Sequence, residues 1–447
     1  MLIRRATLLD GTVADIRLGD AITEVGAALA PEPGEDVLDA RGGAVVPGLH
    51  DHHVHLWATA ASLSSVQVGP PLVRTPTQLE CVLRDADVGP DNGIRAVGYH
   101  ESVAGDLDRD ALDAVRTDVP VRVQHRSGAL WILNSAALAQ AGVTGSADGR
   151  LFREQSPLPR LEAPPALGPL SGLLSSCGVT GVTEATPGYG QRDLETFSAA
   201  RHSGVLRQRL HCMAMAGTVA TPEVSVGPAK RILDDTDLDL HDLQQWVTVN
   251  HEHDHPVAVH CVTDAQLVVT IAALRAAGVH PRDRIEHAAM VPDDCVDDLR
   301  ELGVTVVTQP NFIVERGDEY IADIAAADIA RLWRVGSLVD AGVRIALSTD
   351  MPFGRPDPWA AVRAAVRRVA PGGVIIGAAE RLSPLAALTM FFGHPSDPAR
   401  ARTVAAGQPG DLCVLAVPPA EALADLDADA VSATIIGGDV VYQDSVG

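Results

Sequence analysis

The hydrophobic and polar positions follow one repeating pattern over most of the C-terminal half of the chain. From about residue 170 onward, a short apolar run is followed by an alanine- and leucine-rich amphipathic stretch and then by glycine. A clear example is PVAVHCVTD, which leads into AQLVVTIAALRAAGV. Strands that alternate with helices predict βαβ units and a parallel sheet. The number of units in series favours an α/β fold of the (β/α)8 TIM-barrel type over an open sheet.

The two ends of the chain follow a different pattern. Residues 1–47 and 405–447 consist of short alternating runs divided by Gly-Asp and Gly-Gly turns, which is typical of a β-sandwich. We therefore expect both termini to form one small, discontinuous β-sandwich domain beside a barrel of residues 48–404. The segment 66–165 is rich in Pro, Asp and Gly and departs from the repeat, which indicates an insertion.

Composition and charge narrow the class of protein. The 447 residues are 46% hydrophobic and 21% charged, as in an ordinary globular chain. The 58 acidic and 35 basic residues give a formal net charge of −23, which repels nucleic acids and anionic membrane surfaces. We therefore expect a small-molecule substrate, with neither nucleic acid nor membrane as a partner. Whether the chain forms a homo-oligomer stays open.

The N-terminal segment and the cysteines indicate the compartment. The first residues lack the apolar region of a signal peptide, and no apolar run reaches the roughly 18 residues of a membrane span. The six cysteines are scattered and form no CxxC pair, which favours reduced core thiols over disulfides or a zinc knuckle. These features predict a cytoplasmic protein.

The first candidate for chemistry is a pair of histidines, His53 and His55, in the sequence GLHDHHVHL directly after an apolar run. Side chains at positions i and i+2 of a strand share a face, so both imidazoles can bind one metal ion. An HxH pair on its own is an ambiguous signal, because histidines also serve as ordinary polar contacts.

Four later residues strengthen this metal-site hypothesis. His260, His287 and Asp350 each stand where a predicted strand gives way to a loop, and Lys230 is the one lysine of the chain. The intervals between these four residues, in chain order, are 30, 27 and 63 residues. Because one βα unit of a barrel averages about 31 residues, these positions predict the ends of strands four, five, six and eight. The carboxyl ends of barrel strands are where catalytic groups collect.

The interval from His55 to Lys230 is much longer, at 175 residues. Three βα units account for about 93 of them. The surplus is close to the length of the segment 66–165, which places this insertion between barrel strands one and two.

Two histidines on strand one, a lysine on strand four, histidines on strands five and six and an aspartate on strand eight together resemble the binuclear amidohydrolase superfamily. The resemblance covers essentially the whole chain. It implies a hydrolase with two divalent metal ions, for which zinc is the expected metal. The implied ligands are His53, His55, Lys230, His260, His287 and Asp350.

The resemblance also implies a role for each ligand. His53, His55 and Asp350 would hold one ion, His260 and His287 the other, and Lys230, carbamylated by carbon dioxide, would bridge them. Residue chemistry agrees, because a lysine neutralised by burial can add carbon dioxide and become an anionic ligand. The implied activity is cleavage of a C–N, amide-type bond in a small molecule by a hydroxide between the metals. Asp350 would be the catalytic proton carrier.

Three stretches, at 125–138, 226–235 and 260–267, resemble N-substituted formamide deformylases and their relatives within this superfamily. Their sequences are HRSGALWILNSAAL, VGPAKRILDD and HCVTDAQL. That branch usually has histidine where Ala129 stands here, so a substrate contact made by such a histidine is lost or comes from another residue, with His125 as the candidate. N-formyl, N-acyl and cyclic amides are the implied substrate types.

Five further residues are candidates for substrate or outer-sphere contacts. Each stands near the predicted end of a strand or in the insertion, where binding residues gather. They are Tyr99, His100, His125, Glu184 and Gln309.

Three alternative functions remain open at this point. An ester or lactone hydrolase would use the same metal centre. A mononuclear deaminase would carry a glutamate three residues after the strand-five histidine, where Thr263 stands here. A non-enzymatic relative on the same fold would be expected to have lost ligands.

Overall fold

The structure is a computed structural model, and it describes residues 1–89, 92–144, 146–152 and 165–444. Strands alternate with helices through much of the chain, so the α/β class predicted from the sequence is confirmed.

The chain divides into two compact units. The larger unit consists of Met1–His55 and Leu167–Gly447. The smaller unit is Leu56–Ala166. The predicted insertion, residues 66–165, therefore falls inside the smaller unit.

The described residues form 24 β-strands. In chain order they are Leu2–Thr7 (β1), Val13–Leu18 (β2), Ile22–Gly26 (β3), Val37–Asp39 (β4), Val45–Pro47 (β5), Leu49–Val54 (β6), Val66–Gln67 (β7), Ile94–Tyr99 (β8), Val121–His125 (β9), Leu130–Leu133 (β10), Arg150–Phe152 (β11), Val179–Glu184 (β12), Arg209–Met213 (β13), Val224–Gly227 (β14), Ala229–Ile232 (β15), Val257–Cys261 (β16), Arg284–His287 (β17), Thr305–Thr308 (β18), Arg344–Leu347 (β19), Gly393–His394 (β20), Asp397–Ala401 (β21), Leu412–Leu415 (β22), Val431–Ile436 (β23) and Asp439–Gln443 (β24).

The same ranges contain 15 α-helices. In chain order they are Leu56–Leu63 (α1), Pro76–Asp85 (α2), Glu101–Ala104 (α3), Arg109–Val115 (α4), Ser135–Ala141 (α5), Leu167–Ser176 (α6), Gln191–His202 (α7), Leu240–Glu252 (α8), Asp264–Ala277 (α9), Asp293–Leu302 (α10), Asn311–Asp323 (α11), Val335–Asp340 (α12), Pro358–Arg367 (α13), Pro384–Thr389 (α14) and Pro419–Asp425 (α15). In the described part of the chain, no helix is both long and apolar enough to cross a bilayer.

Two parallel sheets form the centre of the larger unit. Their strand orders, within the described residues, are β14-β13-β12-β6 and β15-β16-β17-β18-β19. Every residue of β12, β17 and β18 is buried, as expected where both faces of a parallel sheet are covered. β6 is buried throughout as well, although its sequence LHDHHV is mostly polar. The burial of so many polar groups marks β6 as the strand on which to look for chemistry.

The two parallel sheets approach each other at both edges. β14 and β15 are separated only by Pro228, which has no N–H to donate to a ladder. At the other edge, the amide of Asp350 donates to the carbonyl of His53 at 3.0 Å. The amide of His55 donates to the carbonyl of Met351 at 2.9 Å. These bonds hold the carboxyl end of β6 beside the segment that follows β19.

The two ends of the chain share an apolar cluster within the larger unit. One sheet has the order β3-β2-β1-β4 and another has the order β24-β23-β22-β5 among the described strands. β22 pairs with β5 in antiparallel register, with Cys413 opposite Val46. The shared cluster includes Ile3, Leu412 and Ile435, all nearly inaccessible to solvent.

The smaller unit is built on a mixed sheet. Its order over the described residues is β11-β10-β9-β8-β7, in which β8 and β9 are parallel and β10 is antiparallel to β9. Buried apolar side chains such as Leu83, Ile94 and Val123 form its core. The carboxyl ends of β8 and β9 lie side by side, with Tyr99 opposite His125.

Five of the six cysteines are buried, whereas Cys81 is exposed. The expectation of core thiols is therefore wrong for Cys81. It lies on the amphipathic helix α2, whose buried face carries Leu79 and Leu83, and a residue two positions from each of them faces away.

Arg368 is a fully buried arginine that joins two segments of the larger unit. Its Nε donates to the carbonyl of Ile376 at 2.7 Å. Its two Nη atoms donate to the carbonyls of Leu332 and Trp333, each at 2.8 Å. Burial lowers the pKa of Arg368 to about 10, so the guanidinium still carries its charge at neutral pH.

We predict that Arg368→Met destabilises the protein by about 3 kcal/mol, because three buried carbonyls lose a charged donor. The neighbouring Arg367, whose side chain is exposed, provides the matched control Arg367→Met. Urea unfolding of the two variants measures the difference. Equal losses of stability in both variants would contradict this role.

Candidate metal centre

β6 brings His53 and His55 to one place at its carboxyl end. Their rings are 5.4 Å apart between centroids, as expected for side chains at i and i+2. Nε2 of His53 lies 3.6 Å, and Nε2 of His55 3.4 Å, from Oδ1 of Asp350. Each of the three side chains offers a ligand atom within 4.8 Å of the other two.

Asp350 follows β19 and is buried beside these imidazoles. Its Oδ1 has no hydrogen-bond partner among the described residues, although two histidine nitrogens lie nearby. A buried carboxylate oxygen without a partner is costly. A divalent cation bound by Oδ1 and the imidazole nitrogens would satisfy it, so this donor set fits a metal ion.

Lys230 lies on β15 with its Nζ 3.0 Å from Nε2 of His53. Burial lowers the pKa of Lys230 to about 8, against the opposing effect of Glu286 and Asp350. Burial also holds the pKa of His53 well below its usual range, so this imidazole is neutral, as a metal ligand must be.

His260 and His287 complete the group of six predicted ligands. Their ring centroids are 4.4 Å apart, and the His287 ring is 4.8 Å from that of His53. Nδ1 of His287 lies 3.9 Å from Oδ2 of Asp350. The structure therefore brings all six side chains together, as the sequence spacing predicts; their metal-binding roles stay a prediction.

The backbone is strained at this group. His287, Ala288 and Asp350 have φ values of 72°, 44° and 56°, in the left-handed region that non-glycine residues rarely adopt. Such strain typically costs about 1–3 kcal/mol per residue and concentrates at functional sites. At His287 it ends the alternation of β17, so that His287 and its neighbour Glu286 both face His53.

Glu286 and Arg284 hold His53 in place. The carboxylate of Glu286 is hydrogen-bonded to Nδ1 of His53, which leaves Nε2 directed to Lys230 and Asp350. Arg284 donates to both oxygens of Glu286, at 2.8 and 3.1 Å. A carboxylate on the far nitrogen is the usual way to orient a metal-binding histidine. Sequence reasoning missed both residues, although Arg284 and Glu286 share a strand face at i and i+2.

Asp51 is a second buried carboxylate that sequence reasoning missed. It accepts hydrogen bonds from the amide of Thr349 at 3.0 Å and from the Thr349 hydroxyl at 2.5 Å. Burial raises the pKa of Asp51 to about 7, although these hydrogen bonds oppose the effect. The contacts fasten β6 to the residue that precedes Asp350.

Two of the five candidate contact residues lie beside the ligands. Gln309 accepts a hydrogen bond from Nδ1 of His287 at 2.8 Å, and so orients that ring. Glu184 is buried at the end of β12 and accepts from the amide of Thr186 at 2.9 Å. The Thr186 hydroxyl lies 2.8 Å from Nδ1 of His55.

The other three candidate contact residues belong to the smaller unit. Tyr99 is buried and its hydroxyl donates to the carbonyl of Gly105 at 2.7 Å. His100 and His125 flank the carboxylate of Glu101. Their contact with a substrate remains a prediction.

The model of the amidohydrolase family matches residues 36–442. The chain belongs to this family. Like other members, it is a hydrolase, and the resemblance drawn from its sequence is confirmed. Thr263, at the position that the deaminase alternative requires to be glutamate, instead caps α9 by accepting from the amide of Gln266.

The amidohydrolase is similar to an N-substituted formamide deformylase from Arthrobacter pascens, at 25% identity over 94% of this chain and 92% of the relative. Among solved structures, an uncharacterised metal-dependent hydrolase from Pyrococcus horikoshii OT3 has a TM-score of 0.76, at 18% identity over 94% and 97% of the two chains. An atrazine chlorohydrolase from Arthrobacter aurescens TC1, complexed with zinc, has a TM-score of 0.58, at 16% identity over 99% and 95%. At 18% and 16% identity, the similarity to these two solved structures shows a shared fold alone.

We predict that Glu286→Gln weakens zinc binding by the amidohydrolase about 10- to 100-fold, because a neutral amide accepts a weaker hydrogen bond from Nδ1 of His53 than a carboxylate does. Competition with a chromophoric chelator measures the affinity. The matched control is Glu380→Gln, since Glu380 is a buried glutamate that accepts from Ser337 and lies near Arg334. An unchanged zinc affinity in Glu286→Gln would contradict the role of Glu286 in positioning His53.

Proposed function

We propose that this amidohydrolase is a metal-dependent enzyme that cleaves a C–N, amide-type bond of a small molecule. The observation that carries the proposal is the convergence of four imidazoles, one lysine and one partnerless carboxylate oxygen at the ends of parallel strands. The likeness to an N-substituted formamide deformylase supports N-formyl, N-acyl or cyclic amides as the substrate class.

Two divalent ions, zinc by preference, would be held by the six converging side chains. His53, His55 and Asp350 would hold one, His260 and His287 the other, and carbamylated Lys230 would bridge them. The position of Lys230 supports this, because an unmodified ammonium beside two cations would be repelled. The bound metals would polarise the carbonyl and lower the pKa of water.

Asp350 is the residue we assign to proton transfer. Water adds to the carbonyl carbon, and as the C–O bond forms Asp350 accepts one of its protons. As the C–N bond breaks, Asp350 donates that proton to the departing nitrogen. Its second carboxylate oxygen, Oδ2, remains to take the proton when Oδ1 binds a metal ion, which suits Asp350 to this role.

We also propose the finer architecture. The two parallel sheets would close into one eight-stranded barrel, with β14 and β15 as the halves of strand four. The backbone bonds from Asp350 to His53 and from His55 to Met351 would join strand eight to strand one. Residues 1–47 and 405–447 would form a β-sandwich domain, which their shared apolar cluster supports. The segment 66–165 would be an insertion between strands one and two.

The substrate class is tested by loading the purified protein with zinc and screening N-formyl, N-acyl and cyclic amides against matched esters. Turnover of amides is the expected result. Turnover of esters or lactones alone would replace this proposal with the ester-hydrolase alternative, which uses the same centre.

We expect two zinc ions per chain at this centre. Metal analysis uses His100→Gln/His125→Gln protein, because these two histidines and Glu101 form a second group that could hold an ion. Lys230→Ala should lose both the bridge and the activity. Short carboxylic acids should partly restore activity by replacing the carbamate. Arg231→Ala is the matched control, because the adjacent Arg231 pairs with Asp242 instead. One zinc per chain in fully active protein, or normal turnover by Lys230→Arg, would contradict the bridged centre.

We expect Asp350→Asn to reduce amide turnover more than turnover of a matched ester, because a departing amine needs a proton more than an alkoxide does. Against the opposing effect of burial, nearby imidazoles hold the pKa of Asp350 well below its usual range, so the carboxylate is ionised and able to accept a proton at neutral pH. Asp340→Asn, at an exposed position, is the control. Equal losses on both substrates would assign the proton to another group.

A further inference from the structure

The smaller unit contains a second group of potential metal ligands. His100, Glu101 and His125 each offer one ligand atom, and these atoms lie within 4.8 Å of one another. His100 directly follows β8 and His125 ends β9, so the group sits at the carboxyl ends of two neighbouring parallel strands. All three residues belong to the unit Leu56–Ala166.

The separations of these atoms suit a small divalent ion. Nε2 of His125 lies 3.1 Å, and Nε2 of His100 3.7 Å, from Oε2 of Glu101. Two ligands about 2.1 Å from a tetrahedral zinc ion are about 3.4 Å apart, which falls between the two observed distances. Only small side-chain movements would therefore place the three atoms around zinc.

Both imidazoles are oriented in the same way. Nδ1 of His100 lies 2.9 Å from the hydroxyl of Ser102, and Nδ1 of His125 lies 2.7 Å from that of Ser127. Each serine stands two residues after its histidine, and each serine amide donates to the same Nδ1. This repeated arrangement turns both Nε2 atoms to Glu101. Zinc at Nε2 would require the tautomer in which each Nδ1–H donates to its serine hydroxyl, which is the kind of outer contact that metal-binding histidines make.

The group is open enough to admit an ion. The side chains of His100 and His125 are 16% and 15% exposed, and that of Glu101 is 43% exposed. Two histidines and one glutamate are a ligand set that binds zinc and leaves a fourth position for water.

We propose that His100, Glu101 and His125 form a zinc site within the smaller unit. The ion ties the loop after β8 to the end of β9, in place of the direct substrate contact predicted for these histidines from the sequence. The site is independent of the six residues of the candidate metal centre.

The test uses the full chain, stripped of metal, reloaded with excess zinc and freed of unbound zinc by gel filtration. Wild-type protein should hold one zinc ion per chain more than His100→Gln/His125→Gln. The difference should persist in an Asp350→Asn/His55→Ala background, so that it does not depend on what the candidate metal centre binds or catalyses.

The matched control is His251→Gln/His280→Gln. The rings of His251 and His280 are also 5.9 Å apart, but their Nε2 atoms face two different carboxylates, Asp283 and Asp254. This control should retain the full zinc content. Equal zinc content in wild type and His100→Gln/His125→Gln would overturn the proposal, as would equal losses in the two double variants.

A second measurement keeps the test decisive if a double variant folds poorly. Crystals of wild-type protein soaked in zinc chloride should give an anomalous peak at the zinc edge between His100, Glu101 and His125. Absence of that peak, when the crystals hold zinc elsewhere, would overturn the site without touching the proposed hydrolase activity.

Discussion

The structure depends on one electrostatic constraint: several electron-pair donors are buried together where strands end. A carboxylate oxygen of Asp350, with no hydrogen-bond partner in the described residues, lies beside the imidazoles of His53 and His55, and burial keeps that of His53 neutral. In a low-dielectric interior, such a group is stable only beside a compensating positive charge. Lys230, whose pKa burial lowers to about 8, contacts Nε2 of His53 and leaves Oδ1 of Asp350 without a hydrogen-bond partner among the described residues. A divalent cation would meet the constraint, which is why we propose a metal-dependent hydrolase.

The surroundings of these donors are rigid, which a metal centre requires. Arg284 and Glu286 fix one ring nitrogen of His53, while Gln309 fixes one of His287. Asp51 fastens β6 to the segment after β19 through Thr349. These contacts maintain the backbone strain at the ends of β17 and β19. At His287 the strain turns toward His53 a side chain that strand alternation would direct elsewhere.

The α/β class and the grouping of the six predicted ligands could be predicted from the sequence, because strand–helix repeats have a nearly constant length and parallel strands end at the same edge. The residues that form hydrogen bonds to these six side chains, such as Glu286, could not be predicted. Alternation places Glu286 and His287 on opposite faces, and only the left-handed backbone at His287 brings both to His53. The interruption between β14 and β15 at Pro228 was not predicted either, although a proline cannot donate a hydrogen bond to a neighbouring strand. Nor does periodicity resolve the sheet of the smaller unit, in which parallel and antiparallel strands mix.

The most direct test of the account is anomalous diffraction from crystals of zinc-loaded protein. The account predicts two adjacent anomalous peaks among the six side chains, one beside His53, His55 and Asp350 and the other beside His260 and His287. It also predicts electron density for a carboxylate on Nζ of Lys230 between the peaks. A single peak, or an unmodified Lys230 beside two peaks, would contradict it.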